Sequence, residues 1–224
     1  MRRFVRESSL SLVFGGLFLA ALVGQAFAGH AEYNDQQQAA GLTTISWFEY
    51  VTSANYAVDV TENWQSEYLQ FLLYITLTIW LVQKGSPESK VPGAEGRESD
   101  EDQRLGAHVT EDSPRWARVG SWRTRLYSRS LGLVMGGIFV ASWLGQSIAG
   151  LATYNEERIG QLRDPLSWWS YILSADFWSR SLQNWQSEFL AVGSMVVFSI
   201  YLRERGSPES KPVGVSHGAT GIEG

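Results

Sequence analysis

Two carboxylates stand out by position: Glu67 and Glu188 each close the pentapeptide Asn-Trp-Gln-Ser-Glu, at residues 63–67 and 184–188, and each leads into an uncharged apolar run. Asn63 with Glu67, and Asn184 with Glu188, are spaced i,i+4 and share a helix face, while Gln65 and Gln186 add an amide beside each. An acid bordering a membrane is expensive to leave unpaired, so these six residues form a candidate ion or proton site. If the two copies face one another, two carboxylates line one vestibule and bind a cation or relay protons. A second expectation competes with the first. Near a helix N-terminus the dipole favours a carboxylate, and neighbouring Asn, Gln and Ser satisfy it with no ligand at all.

The elements that must position these acids come in duplicate. Residues 2 to 92 recur without a gap as 123 to 213, shifted by 121 positions. Gly15-Gly16 returns as Gly136-Gly137, Tyr33-Asn34 as Tyr154-Asn155, and Gly85-Ser-Pro-Glu-Ser-Lys90 as Gly206 to Lys211. Each copy holds two apolar spans, with charge-free runs at 9–29, 68–83, 130–153 and 189–202. With the Trp64 and Trp185 turns counted as interfacial, these approach the ~20 residues that cross a bilayer. The expected fold is an all-α membrane protein: four transmembrane helices made by tandem duplication of a two-helix unit, with short interfacial helices in the outer loops. Its organisation reads as a first two-span repeat over 1–92, a disordered acidic linker over 93–121 ending in a basic-aromatic anchor, a second repeat over 122–213, and a flexible tail over 214–224.

The first span also fits a secretory leader, since Arg2, Arg3 and Arg6 precede an apolar stretch ending Ala26-Phe-Ala-Gly29. The same ending recurs internally as Ser147-Ile-Ala-Gly150, so a helix end is the expected reading. Lysine and arginine set the orientation. Fifteen of the eighteen lie before the first span, between residues 84 and 129, or after the last span, and only Arg158, Arg163 and Arg180 lie in an outer loop. By the positive-inside rule the chain is a multi-pass inner-membrane protein with both termini and the linker cytoplasmic.

Small residues recur every four positions in the first span (Gly16, Ala20, Gly24) and the third (Gly137, Ala141, Gly145), a flat stripe that lets helix backbones approach. Spans one and three are therefore the expected central pair. Arg115, Trp116, Arg118, Trp122, Arg123 and Arg125 interleave cations with aromatics just before the third span, which suits an anchor on anionic lipid headgroups. Membrane lipids are the expected partner, with other membrane proteins or further copies of the chain beside them, and nucleic acid is not expected so close to a membrane. There is no cysteine, and His30, His108 and His217 are scattered, so no metal or cofactor is expected. Without a nucleophile–base pair, no enzymatic activity is expected either.

A Gly-rich first span, an aromatic loop, Asn-Trp-Gln-Ser-Glu and Gly-Ser-Pro-Glu-Ser-Lys together resemble a family of uncharacterised bacterial integral membrane proteins catalogued as a domain of unknown function, present here as two tandem copies. The resemblance implies location and topology and carries no activity with it. The leading expectation is a structural or interaction protein of the membrane; the alternative is a small cation or proton channel or transporter using Glu67 and Glu188.

Overall fold

Uncharged apolar runs dictate long helices, and the computed structural model, which describes residues 2–223, is 64% helical with no strand among them. In chain order the helices are α1 (Arg2–Glu7), α2 (Ser9–Ala39), α3 (Trp47–Val51), α4 (Ala54–Leu77), α5 (Arg115–Arg118), α6 (Trp122–Tyr127), α7 (Ser130–Gly160), α8 (Trp168–Ile172) and α9 (Ala175–Tyr201). A single 3-10 turn, Gly106–His108, interrupts the segment between α4 and α5.

Two helices among the described residues, rather than the expected four, combine the length and the apolar composition needed to cross a membrane: α2 and α7, each of 31 residues. α4 and α9, with 24 and 27 residues, are long enough to do so. Charged residues dilute the apolar run of each, Asp59, Glu62 and Glu67 in α4 and Asp176, Arg180 and Glu188 in α9.

The chain divides into two units. The first comprises residues up to 61 together with 145–172, and its loops are pinned by asparagine. Asn34 Oδ1 accepts the Ile45 N–H at 2.9 Å while its Nδ2 donates to the Ile45 carbonyl at 2.9 Å. Asn155 does the same to Leu166, at 2.7 and 2.9 Å, 121 residues later. Each amide thus substitutes for a strand neighbour and turns the chain back along its helix. Ser46 and Ser167 then cap the short helices α3 and α8 by accepting the N–H of Glu49 and Ser170, at 3.3 and 3.2 Å. Glu49 completes a capping box on Ser46 N–H, which holds its carboxyl below the ordinary range.

These caps seat a buried tyrosine on each helix pair. Tyr50 and Tyr171, 3% and 1% exposed, press their hydroxyls against Gly29 and Gly150, where an added Cβ would collide. Tyr33 and Tyr154 pack on the same rings at centroid distances of 5.8 and 5.5 Å. Phe27 stacks on Trp47 at 5.4 Å. Toward their carboxyl-terminal ends α2 and α7 meet through a Tyr33–Glu156 hydrogen bond.

The second unit holds residues 62–144 and 173–223. Here α7 lies on α4, where a Cβ added at Gly136 would lie 3.6 Å from the Leu72 side chain and one at Gly132 would lie 3.9 Å from that of Thr76. An aromatic cluster fills the contact between α7 and α9: Trp143 packs against Phe177, Trp178 and Trp185 at 5.7, 5.9 and 6.2 Å, and its indole donates to the buried Ser181 hydroxyl at 3.4 Å.

Candidate functional site

Most of the small-residue stripe is uncovered. Nothing lies within 4 Å of the position a Cβ would take at Gly16, Gly24 or Gly137, and Ala20 and Ala141 are exposed. Gly145 alone of the four stripe glycines is covered, by the Thr61 side chain of α4 at 3.0 Å in the first unit. A four-residue period shows which face of a helix is flat, not which helix meets it, and α7 uses the neighbouring Gly132 and Gly136 instead.

The polar residues of the second unit converge between α4 and α9. Asn184 donates its amide to Glu62 Oε1 at 3.1 Å and to the Arg180 carbonyl at 3.1 Å. Arg180 lies 3.5 Å from Glu62 and 3.5 Å from Asp176, and the Glu62 side chain is only 13% exposed. One turn further along, the Trp185 indole donates to Gln65 Oε1 at 2.7 Å. Gln65 is fully buried, and its Nε2 has no hydrogen-bond partner. The two copies are used unequally: Gln186, the counterpart of Gln65, is exposed, as is Asn63, the counterpart of Asn184. Glu62 and Arg180 escaped the sequence reading because each is replaced in the other copy, by Gln183 and Asp59, so neither carries a repeat signal.

Glu67 is exposed and Glu188 partly buried, and they lie near enough for their charges to act on one another. No arginine or lysine forms an ion pair with either among the described residues.

The hexapeptide that follows α4, and again α9, builds one turn twice. Gly85 and Gly206 take φ of +91° and +86°, left-handed turn conformations that lie beyond the ends of α4 at Leu77 and α9 at Tyr201. Ser89 Oγ accepts the Gln83 N–H at 2.8 Å, and Ser210 Oγ accepts the Glu204 N–H at 3.0 Å. Lys90 Nζ donates to the Gly96 carbonyl at 2.8 Å, and Lys211 Nζ to the His217 carbonyl at 2.9 Å. The motif acids meet as well: a side-chain hydrogen bond from Glu88, followed by the charge of Glu88, raises the Glu209 carboxyl, so the two share a proton more readily than isolated acids. Tyr74 donates its hydroxyl to Glu88. The sequence signal for this pair was present, since the motif glutamate itself recurs.

Over residues 1–222, both halves and the linker included, the sequence matches the family described as a domain of unknown function, DUF6766. The chain belongs to that family. No curated protein and no solved structure matches it. For a DUF6766 chain the geometry above therefore has to carry the functional reading by itself.

The basic-aromatic stretch of this DUF6766 chain forms two short helices, α5 and α6. They are joined by Thr124 Oγ1 donating to the Trp116 carbonyl at 2.6 Å and by the Trp116 and Tyr127 rings at 6.4 Å. Arg115, Trp116, Trp122, Arg123 and Arg125 are all exposed, and Arg123 stacks over the Trp122 ring at 5.7 Å. Arg118 is spent on the backbone, donating to the carbonyls of Ser113 and Thr110 at 3.1 and 3.0 Å.

In the first unit Gln146 is fully buried, and neither its Nε2 nor its Oε1 has a hydrogen-bond partner. Burying an amide unpaired costs roughly 1–3 kcal/mol. Gln146→Leu is therefore expected to stabilise the protein by about 1 kcal/mol, read from unfolding in mixed micelles. Gln65→Leu is expected to be near neutral, because it removes one orphan and one bond together. A loss of stability in Gln146→Leu would mean that the amide holds water or a ligand.

Proposed function

We propose that this chain is a four-span protein of the bacterial inner membrane, two helical hairpins joined by duplication, with both termini and the linker cytoplasmic. It works without enzymatic activity, as a structural or interaction protein that grips anionic lipid through Arg115, Trp116, Trp122, Arg123 and Arg125 and binds partner membrane proteins or further copies of itself. The observation that carries this reading is how the recurring polar residues are used. Asn34, Asn155, Ser89, Ser210, Lys90 and Lys211 are all occupied in holding backbone, and Asn184 and Gln65 bridge α4 to α9. Residues spent in that way favour a scaffold over a reaction centre.

Glu67 and Glu188 are the exception, and their proximity supports a second reading, a small cation or proton conductor. Flux of protons and monovalent cations in proteoliposomes separates the two. The scaffold reading expects no flux above that of empty vesicles, and flux that disappears in a folded Glu67→Gln, Glu188→Gln variant would replace it with the conductor.

A further inference from the structure

Lys211 is 1% exposed, one of the largest fully buried side chains among the described residues, and no carboxylate among them pairs with it. Its ammonium is held by carbonyls alone: Gly85 at 2.6 Å, His217 at 2.9 Å, Ala219 at 3.2 Å and Ser216 at 3.3 Å. Three of those carbonyls belong to the carboxyl-terminal segment, and the fourth belongs to the first Gly-Ser-Pro turn, 126 residues away. An ammonium has three protons and no acceptor, so it can draw three or four carbonyls around itself much as a bound cation would.

Further contacts seat the same segment on that turn. Thr220 Oγ1 accepts the Gly85 N–H at 2.8 Å, and Gly221 N–H donates to the Ser86 carbonyl at 3.1 Å. Gly85, Ser86 and Pro87 are buried, whereas their counterparts Gly206 and Pro208 are exposed. A Cβ at Gly85 would meet the His217 carbonyl at 2.6 Å, so glycine is needed there for closure as well as for its φ. Arg203 reinforces the base of the segment, donating to the Val215 carbonyl at 3.1 Å and to the last carbonyls of α9. Lys90 makes the local half of this arrangement, its bond to Gly96, but pairs with Glu98 at 3.2 Å.

We propose that residues 212–221 form a latch, closed over the first Gly-Ser-Pro turn by the ammonium of Lys211 acting as a tethered cation. Opening it releases the Gly85 and Gly221 bonds and uncovers Gly85, Ser86 and Pro87, so the latch controls access to one of the two turns on this side of the chain. The lysine of the second motif does this and the lysine of the first does not. Burial, and then the charge of Arg203, push the Lys211 ammonium down, consistent with a cation held by dipoles rather than by an acid.

Hydrogen exchange of the full-length protein in micelles tests the latch. In the wild type the peptides containing Gly85 and Gly221 are expected to be protected. In Lys211→Met both should exchange at least tenfold faster, while Lys90→Met leaves the Gly221 peptide unchanged. Unaltered protection in Lys211→Met, or free-peptide exchange over 214–221 in the wild type, would overturn the proposal. Should Lys211→Met not fold, Thr220→Val removes only the acceptor of the Gly85 N–H; faster exchange at Gly85 is expected, and an unchanged rate would contradict the latch.

Discussion

Replacing Asn155 by leucine is expected to cost about 2–4 kcal/mol, because it strands both the N–H and the carbonyl of Leu166. No other side chain among the described residues hydrogen-bonds those two groups. The loop that carries α8 would lose its anchor, and with it the placement of Tyr171 over Gly150. Asn34→Leu should cost somewhat less, because His30 Nε2 also lies 2.8 Å from the Ile45 carbonyl and supplies part of the same hold. Unfolding in mixed micelles reads both. Equal and negligible losses would show that water satisfies the loop backbone and that the Tyr-Asn pair is not structural.

Gly150→Ala should be the next most damaging change, at about 1–3 kcal/mol, since the new methyl would occupy the space of the Tyr171 hydroxyl. The ring has no route out, being 1% exposed and packed on Tyr154 at 5.5 Å. Tyr171→Phe in the same chain removes the colliding oxygen and should recover most of the loss, leaving the ring carbon Cζ at 3.2 Å as the tightest contact. The double-variant cycle isolates that one contact. A Gly150→Ala loss that Tyr171→Phe leaves untouched would point instead to a helix distortion. Gly29→Ala with Tyr50→Phe repeats the test in the other copy.

Much of this architecture was legible because each constraint is written twice. Tyr-Asn, the serine caps and the Gly-Ser-Pro-Glu-Ser-Lys turn recur at the same offset in sequence, and their hydrogen bonds recur at that offset in space. What was not legible is what one copy does alone. The Glu62–Arg180–Asn184 network needs an acid from α4 and a cation from α9, neither of which has a like residue at the matching position 121 away, so comparing the matching segments conceals it. The stripe of Gly16, Gly24 and Gly137 announced a close helix contact, yet the helix that arrives on α7 is α4, seated one register over on Gly136. The Gly- and Ser-containing segment from 214 onward has the composition of a flexible tail, and composition is blind to a buried lysine that collects three of its carbonyls. Only two of the four expected spans meet the apolar requirement, because α4 and α9 carry their polar network on the helices themselves.

Orientation across the membrane is the most direct test, and the absence of cysteine from the chain makes it clean. Single cysteines at Thr44, between α2 and α3, and at Asp100, between α4 and α5, can be labelled in intact cells with a membrane-impermeant maleimide. A four-span protein with a cytoplasmic linker labels at residue 44 and stays unlabelled at residue 100 until the cells are opened. Labelling at both positions in intact cells, or at residue 100 alone, would contradict it.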